Sequence, residues 1–335
     1  MERHRPKRNS IVVLICVLAI ALVVGVVAGL LAYKAVSGGK DSLKKITSAP
    51  SKTIPIAPPP PLAFDVNQAM AHVNQLAGTI GLREEGTAAE EAAAGYISER
   101  LSSSGYRPTT QAVPITTNGR TTHNVVAILN GTSEAGRTIV IGAHMDSKGG
   151  PGANDNATGC GILLELARVL KHNNKQVPSI EFVFFGGEEI AAGAGSNDHH
   201  WGSRYFVKAL RPEEIAGIAG MISVDMVGAG PEFRDRSMGL APGTMRDMLL
   251  ELGSPRGLTL MTDTSSTGMS DHEPFEKANI PAAWLEYRDF SFYHSQGDTV
   301  STVDVAHLQN TGQLVQDFIE SYLTAEKVNQ LMQRN

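Results

Sequence analysis

The stretch RTIVIGAHMDSKGGPGANDNATGCGILLELARVLKH (137–172) decides the fold. RTIVIGA (137–143) is a short apolar run rich in β-branched residues, the composition of a buried strand. A glycine-rich polar run follows, which is loop chemistry. TGCGILLELARVLKH (158–172) then sets Ile162, Leu163, Leu166, Val169 and Leu170 at helical spacing.

The alternation continues outward from this stretch. FDVNQAMAHVNQLAG (64–78) and AAEEAAAGYISERLSSSG (88–105) read as helices, and Asn124 to Leu129 as a strand. Downstream, IEFVFFGG (180–187), GMISVDMVG (220–228) and IPAAWLEY (280–287) read as buried strands. PGTMRDMLLELG (242–253) and VDVAHLQNTGQLVQDFIESYL (303–323) read as helices. This pattern predicts an α/β fold: a single globular domain over residues 63–335, with a mainly parallel mixed β-sheet flanked by helices on both faces. No internal repeat interrupts it.

The first fifth of the chain has a different composition. Residues 11–33, IVVLICVLAIALVVGVVAGLLAY, carry no charge. As a helix they span about 34 Å, enough for a bilayer core of about 30 Å. The run is longer than the apolar part of a cleaved leader and lacks a small-residue cleavage site after it. The expectation is one transmembrane helix, a signal anchor. The basic tail 1–10 would stay in the cytoplasm and the folded domain would be extracytoplasmic. Residues 34–62 end in APPPP (57–61) and read as a proline-rich linker.

Charge and cysteine content narrow the chemistry. The net charge of −5 divides into +4 over residues 1–34, +3 over 35–62 and −12 over 63–335. An acidic domain has no basic footprint for nucleic acid. Two cysteines, Cys16 in the apolar run and Cys160 in the central helix, exclude a disulfide scaffold and a cysteine-rich zinc site. A metal would have to be held by His, Asp and Glu.

Such residues fall just past the strand ends. His144 and Asp146 follow TIVIGA, Asp155 lies in the next loop, Glu188 and Glu189 follow FVFFGG, Asp225 ends SVD, and His294 follows WLEY after a short loop. Open α/β sheets bind ligands outside the carboxyl ends of their strands. Each residue alone would pass for a cap or surface residue. Together they bring nitrogen and oxygen ligands suited to zinc or a similar divalent ion to one rim.

The pieces GAHMDS (142–147), GANDNATG (152–159), FFGGEE (184–189), SVDMVG (223–228), SDHEPF (270–275) and YHSQGDT (293–299) occur in an order that resembles the co-catalytic di-zinc aminopeptidases of the bacterial leucyl-aminopeptidase type. Glutamate carboxypeptidase II and the glutaminyl cyclases are relatives of that family. The resemblance implies two Zn2+ ions, with other divalent transition metals as substitutes. It makes His144 and Asp225 ligands of one ion, Glu189 and His294 ligands of the other, and Asp155 the bridge. It makes Glu188 the general base and Asp146 the carboxylate that orients His144, and it implies a cis peptide between Asp155 and Asn156. The activity implied is removal of N-terminal residues from peptides with a free N-terminus. A one-zinc glutaminyl cyclase and a non-catalytic receptor-like relative are the alternatives.

Four further features carry expectations. Asp271 is expected to support the site rather than bind metal. His199, His200 and Trp201 close a stretch, AAGAGSNDHHWGS (191–203), that is either a wall or flap of the site or a surface insertion. Cys160 is expected to pack. Of the two glycosylation sequons, Asn130-Gly-Thr and Asn156-Ala-Thr, the second abuts Asp155, so Asn156 reads as a turn residue.

Overall fold

The computed structural model describes residues 60–132, 136–190, 193–265 and 267–333. The expected tail, transmembrane helix and most of the linker lie outside the described residues. Among the described residues, no helix is long and apolar enough to cross a membrane.

The chain is held from Leu62, whose N–H donates to Asn173 Oδ1 at 2.7 Å. Helix α1 (Val66–Val73) starts at Asp65, which accepts from the Asn67 N–H, and runs into a wider π-helical turn, Asn74–Ile80. Helix α2 (Ala88–Ser103) is capped by Thr87 and carries Glu90 and Glu91 in its first turn, where the helix dipole favours carboxylates. Strands β1 (Thr109–Pro114), β2 (Thr121–Leu129) and β3 (Thr138–His144) follow, then helix α3 (Thr158–Asn173) and β4 (Ser179–Phe185). Next come α4 (Trp201–Ala209), α5 (Pro212–Gly217), β5 (Ile218–Val224), β6 (Glu232–Ser237), α6 (Thr244–Gly253) and β7 (Met261–Thr264). The chain closes with α7 (Glu273–Lys277), β8 (Ala282–Arg288), α8 (Val305–Asp317) and α9 (Ala325–Leu331).

Among the described residues, eight strands form one sheet in the order β1-β2-β4-β3-β5-β8-β6-β7. The central pairs β4–β3, β3–β5 and β5–β8 are parallel, as is β6–β7, while β1–β2, β2–β4 and β6–β8 are antiparallel. The first four strands in this order come from residues 109–185 and the last four from residues 218–288. The two halves meet at the β3–β5 pair.

Strand alternation builds a core on each face. Ile139 and Ile141 of β3, with Phe182 and Phe184 of β4, enter the larger cluster. Val140, Val183 and Phe185 point the other way, to Phe206 of α4 and Phe275 of α7. Helix α3 is buried along almost its whole length, from Thr158 to Leu170, with only Arg168 partly open. That explains its apolar residues beyond a single stripe.

The fold departs from expectation at the sheet margins. The strand read at 220–228 ends at Val224, because the chain turns at Asp225 to face the site. β1, β6 and β7 were not expected. β1 (TTQAVP) and β7 (MTDT) are exposed edge strands, and β6 (EFRDRS) is charged, so none shows an apolar run.

Candidate metal centre

All five candidate ligands stand at the carboxyl-end rim of the central strands. His144 is the last residue of β3, Asp155 lies in the loop before α3, Glu189 follows β4, Asp225 follows β5, and His294 lies in the loop after β8. They form two triads, His144–Asp155–Asp225 and Asp155–Glu189–His294, each with ligand atoms within 4.8 Å of one another. Asp155 belongs to both through separate oxygens. Its Oδ1 lies 3.1 Å from His144 Nε2 and its Oδ2 lies 3.3 Å from His294 Nε2. His144 Nε2 is also 3.3 Å from Asp225 Oδ1, and His294 Nε2 is 2.8 Å from Glu189 Oε2.

Local structure fixes each of these groups. The Asp155–Asn156 peptide is cis. Asn156 is a buried turn residue: its amide donates to the Val224 carbonyl at 2.9 Å and its Oδ1 accepts from the Gly159 N–H at 2.9 Å. The Asp298 carboxylate accepts from the N–H groups of Asn154 (2.7 Å) and Asp155 (3.0 Å), which anchors the shared carboxylate's backbone. Asp146 lies 3.4 Å from His144 Nδ1, leaving Nε2 for the triad, and accepts the N–H groups of Glu188 and Glu189 at 3.1 and 3.0 Å. Ser270 donates to Asp225 Oδ2 at 2.8 Å. Cys160 is buried, and its thiol donates to the His144 carbonyl at 3.1 Å.

The electrostatics are those of a cation site. Burial opposes a charge on His144, yet Asp225 and Glu188 outweigh it and hold its pKa well above the ordinary value. Burial likewise opposes charge on His294, and Asp155 and Glu189 push it up to about 9. Glu189 is pushed up to about 8 by burial, with Asp155 adding to it. Burial raises Asp225 as well. Glu189 Oε1 is buried without a hydrogen-bond partner. Two imidazoles, three carboxylates and an unpartnered carboxylate oxygen are the donor set of divalent ions that accept nitrogen and oxygen, zinc among them.

A sequence profile of peptidase family M28 matches residues 124–319. The chain belongs to peptidase family M28.

Within M28 its relatives carry two kinds of name. It is 30% identical to leupeptin-inactivating enzyme 1 of Streptomyces exfoliatus, over 71% of this chain and 52% of the relative. It is also 30% identical to the glutaminyl-peptide cyclotransferase of Drosophila melanogaster, over 61% of this chain and 66% of the relative. The chain therefore spans about half to two thirds of these curated relatives. The fold is shared with a zinc aminopeptidase from Bacillus subtilis, at TM-score 0.70 and 19% identity, over 80% of this chain and 97% of that one.

The remaining expectations resolve as follows. Asp271 is fully buried beside the site and stands in neither triad. The 191–203 stretch, whose residues 191 and 192 lie outside the described residues, returns to the site. His200 is buried, and its Nε2 lies 2.9 Å from Glu188 Oε1. Its Nδ1 is hydrogen-bonded to Glu273, which also binds Arg204 and Lys277. Burial opposes the charge on His200, but Glu188 and Glu273 push its pKa up to about 9.

Two supporting residues escaped the sequence reading. Arg83 is fully buried and donates to the carbonyls of Leu76, Gly81, Met145, Pro151 and Gly152. Asp298 stands inside the quoted YHSQGDT run, which was its one available signal.

Proposed function

We propose that this chain is a membrane-anchored M28 aminopeptidase that holds two divalent ions. The observation that carries the reading is the division of Asp155, one oxygen facing each of two complete triads. A one-metal cyclase would need only one of the two triads, for example Asp155, Glu189 and His294. His144 and Asp225, supported by Asp146 and Ser270, form a second complete set that the aminopeptidase reading uses.

Bound ions in such a pair supply Lewis acidity toward a peptide carbonyl and lower the pKa of water. The chain's own groups do the rest. Glu188 is mostly buried, lines the cavity and belongs to neither triad. It takes a proton from the attacking water and returns it to the leaving amine. Asp146 keeps the His144 tautomer that presents Nε2, and its two backbone contacts tie Glu188 to the same support. A cavity of about 580 Å³ over the triads, walled by Met226, Met269, Trp284, Phe290 and Tyr293, takes the N-terminal residue. Residues 11–33 anchor the protein, with the domain extracytoplasmic.

The test is metal content together with turnover of an aminoacyl-p-nitroanilide panel. Two ions per chain and hydrolysis of the panel support the reading. One ion with cyclisation of glutaminyl peptides would replace it with the cyclase. Glu188→Gln should keep both ions and lose roughly 10²–10⁴-fold in turnover, the usual contribution of a general base. Loss of metal in that variant would make Glu188 a ligand instead.

A further inference from the structure

We propose that His200 is a positioning residue for the general base, gripping Glu188 through Nε2 while Glu273 grips its Nδ1. The inference rests on the aminopeptidase reading for the role of Glu188, and on the structure for the contact.

The backbone puts His200 in place. Residues 193–199 lead back to the rim, where the chain zips against its own outgoing segment. The N–H groups of His200, Trp201 and Gly202 donate to the carbonyls of Glu188 (2.8 Å), Gly187 (2.8 Å) and Gly186 (2.9 Å). His200 takes φ +55, a conformation uncommon outside glycine, asparagine, aspartate and histidine. Helix α4 begins at the next residue, so the turn and the helix start together set the imidazole's direction.

The imidazole has a carboxylate on each nitrogen: Glu188 Oε1 on Nε2 at 2.9 Å, and Glu273 on Nδ1. Both nitrogens must donate, which makes the ring an imidazolium. Beyond it, Arg204 reaches both oxygens of Glu273 (3.0 and 2.8 Å), and Lys277 binds the same carboxylate. The result is an alternating row: carboxylate, imidazolium, carboxylate, guanidinium.

His199, His200 and Glu273 also lie close enough to hold a cation. Arg204 and Lys277 argue against that use, because they already place two positive charges on Glu273. The row instead occupies one oxygen of Glu188 and leaves the other for the proton. An unheld glutamate would share its time among several rotamers, and catalysis depends on keeping a base in one geometry.

The experiment compares His200→Ala, His200→Asn and His200→Gln with wild type for kcat, KM, metal content and thermal midpoint. Expected for His200→Ala is a kcat lower by about 10–100-fold, part of the general-base effect, with KM within about twofold and metal content unchanged. Asparagine tolerates the positive φ and secures a folded variant, but its amide stops short of Glu188, so kcat should stay low. Glutamine places an amide where Nε2 stood and should recover most of the loss. An unchanged kcat in His200→Asn overturns the proposal. So does parallel loss of metal, KM and stability that glutamine fails to rescue.

A proton NMR arm is independent of turnover. The wild type should show two far-downfield imidazole N–H signals, one moved by Glu188→Gln and the other by Glu273→Gln. If wild type hydrolyses no aminoacyl substrate, the aminopeptidase reading fails. The NMR arm then decides the grip by itself, and signals that ignore both substitutions refute it.

Discussion

Replacing Gly150 by alanine should empty one metal triad and spare the other. Gly149 and Gly150 pass against the loop that carries His294. A Cβ on Gly150 would stand 1.9 Å from the Ser295 carbonyl oxygen. Ordinary contact begins at 3.4 Å, so the shortfall is about 1.5 Å. The side that yields is fixed by the surroundings. The 145–152 loop is clamped by Arg83 at the carbonyls of Met145, Pro151 and Gly152, and the Ser147 N–H donates to the Arg83 carbonyl. The opposing loop is open to solvent, with Phe292 46% and Tyr293 47% exposed. His294 should therefore move by about 1.5 Å, while metal–ligand distances tolerate only about 0.2 Å. Overpacking of this kind typically costs about 1–3 kcal/mol, so the variant should fold. Metal per chain after dialysis, read by atomic emission, should fall from two to one. Two ions retained at wild-type affinity in a folded Gly150→Ala protein would show that the clamped loop yields instead, and would refute the reasoning.

Other consequences can be measured without substrate. Arg83→Met leaves five carbonyls, three of them in buried contacts, without their charged donor, and should lower unfolding free energy by about 3 kcal/mol or more in urea. His72 is held down to about 4 by burial, with Arg100 and Arg168 adding to it. Between about pH 4 and 6.5 the unfolded chain then binds the extra proton, so stability should be full above 6.5 and fall as pH drops toward 4. His72→Phe should flatten that slope relative to wild type, as urea midpoints across the range will show. A chain starting at Pro60 should fold and bind metal. One starting at Val66 loses Phe64, which is buried against Gly312, and should lose about 3–5 kcal/mol by thermal unfolding.

The parts of this protein written in short windows were readable, and those made by distant partners were not. Helices α3, α6 and α8 announce themselves through periodic apolar residues, and the five triad residues through their place after strands. β6 stayed hidden because its buried side chains include Asp235 and Arg236, which defeat an apolar pattern. The contact of His200 with Glu188 depends on a loop returning to its origin. Its second partner, Glu273, lies 73 residues away, so no local spacing encodes it. Arg83 looks like any surface arginine until five carbonyls from two stretches, 76–81 and 145–152, close around it.

The meeting of the two sheet halves at β3 and β5 bears on how the protein is made. Each triad draws two residues from the first half and one from the second. His144 and Asp155 wait for Asp225, and Asp155 and Glu189 wait for His294. A growing chain thus completes β1 to β4, with their helices, before either triad can be complete. The rim is completed late in synthesis: the second triad closes only when His294, 139 residues beyond Asp155, has been added and β8 has docked on β5. A chain that stops between Glu189 and Ile218 has four strands and no complete triad.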